Sequence, residues 1–318
     1  MSKEFPRKEF YIYTTNIPLD DGKVVALNDR QIEHSKNLKE YSKTKWEIEN
    51  IDWINSPIPS VIDVESGKDN LTLHCGLTEY KYLLGMVKMA TERKSTISLE
   101  FIHRLSTEIR PITLDGMFFL SRRSDRETQH CVGFYDIPSA SKNAQMWINK
   151  IPKEYVGLVN GMFDMFGFPK LNLIRHFRLN LEEMGEIKYT GFSKGFDGSL
   201  DSQFNGYVPI KLEAREILGR GKNSVNFLTY KFDDLNELLA TIRNNGKEGR
   251  RIKEDIYGNV PEPNEMGFVI VDDCIGTLLS NKKHLTKNGY IEGLEILKKK
   301  GYKINEIPAG NIHLDDLV

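Results

Sequence analysis

The order of elements across the middle of the chain constrains the fold more than any single element does. GMFFLSRRSD (116–125) reads as an apolar strand ending in Arg122 and Arg123, and CVGFYDIPSAS (131–141) as a short strand closed by Pro138 and small residues. HFRLNLEEMGEI (176–187) reads as a helix, and GFSKGFDGSLDSQFNGYVPIKL (191–212) as a turn followed by a strand. A helix set between strands must lay its apolar stripe on their sheet, so the expected class is an α/β or α+β sandwich.

At 318 residues the chain can hold one large or two ordinary domains, and we read a division near Pro111. Residues 1–110 read as a mixed or β-rich domain: FYIYTT is dense in β-formers, and IPLDDGKV supplies turn chemistry. NDRQIEHSKNLKEYSKTK (28–45) predicts an exposed helix or loop, SPIPSVIDV (56–64) an apolar segment, and DNLTLHCGL (69–77) a strand broken at Gly76. Residues 111–318 form the second unit, with a helix in FDDLNELLATIRNN and a strand in MGFVIVDD. A last helix is expected in LTKNGYIEGLEILKKKGY, capped by Thr286 and stopped at Gly301.

Composition narrows the function classes. With 44 basic and 45 acidic residues the net charge is -1, so any anion binding must be local. The 3 cysteines lie far apart without a CxxC pair, and the 7 histidines show no HxH or HExxH spacing, which disfavours a zinc centre. No apolar run approaches the roughly 18 residues of a membrane span, and the charged start MSKEFPRKEF lacks a signal peptide's apolar stretch, so a cytoplasmic protein is expected. RNNGKEGRRIKED reads as a solvated loop, with an RNA-touching basic patch as the sharper alternative. Phe163, Phe166 and Phe168 read as core, with stacking on a base as the alternative.

Within HFRLNLEEMGEI, Ile174, Phe177, Leu181 and Met184 recur at helical spacing and predict one apolar stripe. Arg178 and Glu182, four apart, would stand one above the other beside it, with Glu183 a step further round and Gly185 ending the helix. Adjacent carboxylates at a helix end suit one oxygen-seeking divalent cation beside substrate phosphates.

On Arg178, Glu182, Glu183 and Gly185, on the strand FFLSRRS and on GFYDIPSAS, the chain resembles the Nudix hydrolase family over about residues 112 to 235. It departs from the family pattern at Leu179 and Lys170, where glutamates are expected, and at Asp164, where a glycine is. Ser139 and Ala140 stand in place of turn glycines. The resemblance implies an α+β fold of α/β/α sandwich type behind an additional N-terminal domain. It also implies hydrolysis of a nucleoside diphosphate linked to another moiety, with Mg²⁺ or Mn²⁺ held by Glu182 and Glu183 and oriented by Arg178. Arg122 or Arg123 would fix the phosphates, and Glu213 would serve as a distal base or ligand. The N-terminal domain is left to shape the pocket or to form a homodimer. The departures keep a second reading open, an inactive Nudix-like protein that binds a nucleotide-type molecule or a protein partner. An unrelated α+β scaffold is the third.

Overall fold

A computed structural model describes residues 9–48, 57–93, 102–122, 135–136, 158–195, 201–220, 227–241, 254–262, 270, 272–286 and 289–317. The strands are β1 (Glu9–Leu19), β2 (Val24–Asn28), β3 (Pro57–Ser66), β4 (Leu71–Glu79), β5 (Arg104–Ile112), β6 (Met117–Arg122), β7 (Tyr135–Asp136), β8 (Leu158–Val159), β9 (Met162–Phe163), β10 (Lys188–Gly195), β11 (Asp201–Pro209), β12 (Phe227–Lys231), β13 (Lys303–Glu306) and β14 (Gly310–His313). The helices are α1 (Lys36–Ile48), α2 (Tyr80–Arg93), α3 (Gly167–Phe177), α4 (Ala214–Arg220), α5 (Leu235–Thr241), α6 (Asp272–Leu285) and α7 (Tyr290–Lys299). The class is mixed α and β around one large mixed sheet.

That sheet runs β13-β1-β10-β11-β5-β3-β4-β2-β9-β8, with β14 added against β3; β12, β6 and β7 form a second sheet. It takes strands from both sides of residue 110, and β5 itself straddles that position. A single register pair, Ser60 with Arg104, joins β3 to β5, and β14 continues along β3 from Asp63 to Ser66, where β5 has left it.

The sheet is strongly curved. In a flat sheet β13 would lie five spacings from β3, about 24 Å. Yet only residues 307–309 separate β13 from β14, a link that reaches about 14 Å at most. The stretch of sheet from β13 to β3 must therefore curl until β13 and β3 approach each other, and the Tyr13 hydroxyl on β1 donates to the Gly67 carbonyl beyond β3 at 3.3 Å. The concave side holds the main core, including Tyr13, Val61, Val64, Leu73, Ile109, Phe192 and Phe204, with Leu173 and Phe177 of α3 closing it.

Side-chain alternation sends the other face of the same strands to α6. Phe204 enters the main core, whereas Asn205 Oδ1 lies 2.5 Å from the Thr277 hydroxyl of α6. On β10, Thr190 reaches Ser280 (2.9 Å) and Asn281 (2.7 Å). Glu108 of β5 accepts from Thr277 and lies 3.2 Å from the Arg110 guanidinium, with Arg110 fully buried. A second apolar core follows, where Phe118 and Leu120 meet α5, α6 and α7, while Met117 and Phe119 of the same strand turn to the first.

Several expectations change. Gly76 does not break its strand: β4 runs through it, and a side chain there would meet the Arg30 carbonyl oxygen at 2.6 Å. Thr286 does not cap the last helix; its N–H and hydroxyl return to the Lys282 carbonyl at 3.1 and 2.8 Å, closing α6, and Gly289 precedes α7. Of the strand expected in MGFVIVDD, Ile270 makes an isolated bridge to Tyr135, Asp272 already begins α6, and residues 266–269 and 271 lie outside the described residues. Among the described residues no helix is long and apolar enough to cross a membrane.

Candidate functional site

The segment expected to be one helix is three pieces. Asp164 opens α3: its Oδ1 accepts from the backbone N–H of Phe166 (3.0 Å) and Gly167 (2.7 Å), satisfying donors that a helix start leaves bare. The helix stops at Phe177, because Arg178 adopts a left-handed conformation (φ 53°, ψ 43°) and the N–H groups of Arg178 and Leu179 both fold back onto the Ile174 carbonyl. A non-glycine residue in that region costs roughly 1–2 kcal/mol, offset here by sending Leu179 into the core at 3% exposed. Leu181, Glu182 and Glu183 then form a separate 3-10 turn.

Arg178 and Glu182 are therefore not stacked on one helix face. Phe177 and Met184 are buried as the stripe requires, but Leu181 is 62% exposed because it sits on the turn. Gly185 ends no helix; its N–H donates to the Pro209 carbonyl at 2.8 Å, beside a bridge between Met184 and Ile210.

Glu183 organises the turn. Its Oε2 accepts from the Asn180 N–H (2.8 Å) and from Arg220 Nη1 at the end of α4 (2.7 Å). The Arg220 hydrogen bond first, and the Asn180 N–H second, hold its carboxyl at about 2, far below the usual range. Lys211 straps the turn from outside: its N–H donates to the Glu183 carbonyl (2.8 Å) and its Nζ to that of Glu182 (2.9 Å). The Glu182 residue itself is exposed.

Glu213 is exposed and starts α4, its N–H donating to Glu216 Oε2 at 2.9 Å. Ala214 is tied to Asp115, so the Glu183 turn and α4 lie at the β5–β6 turn, where β6 begins. Arg122 ends β6, five residues or about 16 Å further on. There it pairs with Glu262. Arg123 lies outside the described residues. The turn thus gathers Glu182, Glu183, Lys211 and Arg220, with Glu213 nearby, and Arg122 stands apart.

Compared with protein-family models and with curated proteins, the sequence matches none.

Lys211 and Arg220 went unread in the sequence. One signal was available, since Asn180-x-x-Glu183 has the spacing of a capping box, which satisfies turn donors with the same carboxylate a metal would need. Among the described residues no group of three or more His, Cys, Asp or Glu is placed to hold a metal ion. Phe163 and Phe166 pack against the main core, Phe166 edge-on to Tyr189 at 5.2 Å, in accord with their reading as core.

Removing the guanidinium tests the assignment. In Arg220→Met the Glu183 carboxyl should titrate well above its native value of about 2, toward 4.5, in a carboxyl-detected NMR titration. An unmoved value would mean that Asn180 alone sets it.

Proposed function

We propose that this chain is a Nudix-like protein that binds a nucleotide-type small molecule or a protein partner without hydrolysing diphosphates. The observation that carries this reading is the double engagement of Glu183 by Arg220 and by the Asn180 N–H. A divalent cation on that oxygen would have to displace a guanidinium already compensating it, and Leu179 fills the adjacent position with a core side chain. With Glu183 so engaged, the side chains present do not fit Mg²⁺ or Mn²⁺ held by Glu182 and Glu183 together.

The Nudix part of the reading is supported by arrangement. α3 closes the concave face and leads through the glutamate turn into β10, and α6 covers the opposite face of the same strands, so the large sheet carries helices on both sides. The hydrolase reading retains one observation in its favour, the exposed Glu182 on the same turn.

Nucleoside diphosphate derivatives assayed with Mg²⁺ and Mn²⁺, alongside calorimetric binding, separate the two. The expected result is binding without turnover, unchanged by Glu182→Gln. Turnover abolished by Glu182→Gln would overturn the proposal in favour of the hydrolase, and neither turnover nor binding would leave the protein-partner form alone.

A further inference from the structure

The segment 307–317 crosses from β1 to β3 and is held there by side chains of β3, of β10 and of the residue just before β5. Ile307 N–H donates to the Ile12 carbonyl at 2.9 Å. β14 pairs with β3, and Ser66 Oγ both accepts from the Gly310 N–H (2.9 Å) and donates to the Gly310 carbonyl (3.0 Å). His313 Nδ1 meets Asp63 Oδ1 at 2.5 Å, and Asp63 is also held by Arg30 at 3.2 Å. Two residues on, Asp315 Oδ1 lies 2.6 Å from Nε2 of His103, the buried residue just before β5, and its Oδ2 lies 3.6 Å from His313 Nε2. Lys194 of β10, also buried, donates to the Leu314 carbonyl at 3.0 Å, while Leu314 is fully buried in the main core.

We propose that residues 307–317 form an acid-released strap, opened when His103 takes a proton and loses its neutral place against Asp315 and Lys194. Closed, His103 is buried beside the Lys194 amine, which is buried too, so a second cation in that niche is unfavourable. Released, the imidazole meets water.

The surrounding groups fix the pH window. Burial, and secondarily the nearby Lys194, push His103 below 6.5 despite the Asp315 hydrogen bond, so as pH falls through 6.5 the released state takes the proton first. His313 has the opposite sign: the Asp63 hydrogen bond raises it, so its hold is complete below 6.5 and fades only as pH rises through its raised value. Asp63, despite its burial, and Asp315 are lowered, so they favour release only as pH falls below 3.8. Burial brings Lys194 down to about 8 from 10.5, so its contribution changes only between those values. Asp316 follows on the strap, and His74 on β4, opposite Asp63, is bracketed by Asp29 at 2.7 Å and Glu65 at 3.2 Å. Between pH 6.5 and its own lowered value, His103 faces the strap and favours its release.

Hydrogen exchange on the full chain from pH 7.5 to 5, corrected for intrinsic rate, reads the strap through the β14 amides, with the β10–β11 ladder as reference. The expected result is a progressive loss of β14 protection below pH 6.5, up to about tenfold per pH unit, with the reference unchanged. His103→Gln should flatten that slope. His313→Gln should lower protection at pH 6 while leaving the slope. Flat β14 protection in the native chain, or loss in step with the reference ladder, overturns the proposal. If His103→Gln does not fold, the imidazole titration of the native chain decides, and a His103 value at or above 6.5 also overturns it.

Discussion

Arg110→Met is expected to destabilise the protein by about 3–5 kcal/mol, because it strands the buried carboxylate of Glu108 in the seam under α6. The guanidinium is fully buried, 3.2 Å from Glu108 Oε2, and Thr277 donates to the same oxygen. The loss should appear as a lower denaturant midpoint. The double variant Glu108→Gln/Arg110→Met should recover part of it, since no uncompensated charge then remains. Single and double variants of equal stability would show that Glu108 is not charged in the folded protein.

Gly191→Ala should cost at least about 3 kcal/mol, combining a backbone conformation that side chains rarely adopt with overpacking. Gly191 has φ 148° and pairs with Thr14 beside a register shift in both strands. A methyl group there would fall on the Tyr13 carbonyl oxygen and 3.0 Å from Thr14 Cα, against backbone that cannot rotate away. Gly219→Ala in α4 is the control: its added carbon meets nothing, and the helix should gain up to about 1 kcal/mol. Thermal midpoints of the two variants should move in opposite directions.

The two mutations also mark where sequence reading works and where it stops. The strands of β1, β4 and β6 were legible because their β-forming residues lie in short runs between turn signals. Residues 28–45 were legible only as an exposed helix or loop, and the helix there runs from Lys36 to Ile48. Helix α6 was not legible, and the reason is physical: Cys274, Ile275, Leu278 and Leu279 face the second core while Thr277, Ser280, Asn281 and Lys282 are buried as well, so polar residues do not mark an outer face. Its partners Asn205, Thr190 and Glu108 come from strands 72 to 169 residues away, and no local pattern shows them. At the glutamate turn, the apolar spacing of Phe177 and Met184 persists although the helix between them is broken, because Leu179 supplies the inward contact from a left-handed turn. Four residues in a family's register were readable; their engagement by Arg220 and Lys211, set by how α4 packs, was not.

The curved sheet also sets an order of assembly. Its first strand finds one neighbour only in β13, through pairs such as Glu9 with Lys303, 294 residues apart, and β3 is completed by β14 from the same stretch of chain. Contacts of such separation must wait for the intervening chain to collapse, which places this protein among slow folders dominated by non-local pairing. A nascent chain stopped before residue 303 would hold β1 and part of β3 as bare edges, each a template for pairing with another copy. Aggregation during synthesis, more than instability of the finished molecule, is then the hazard built into this topology.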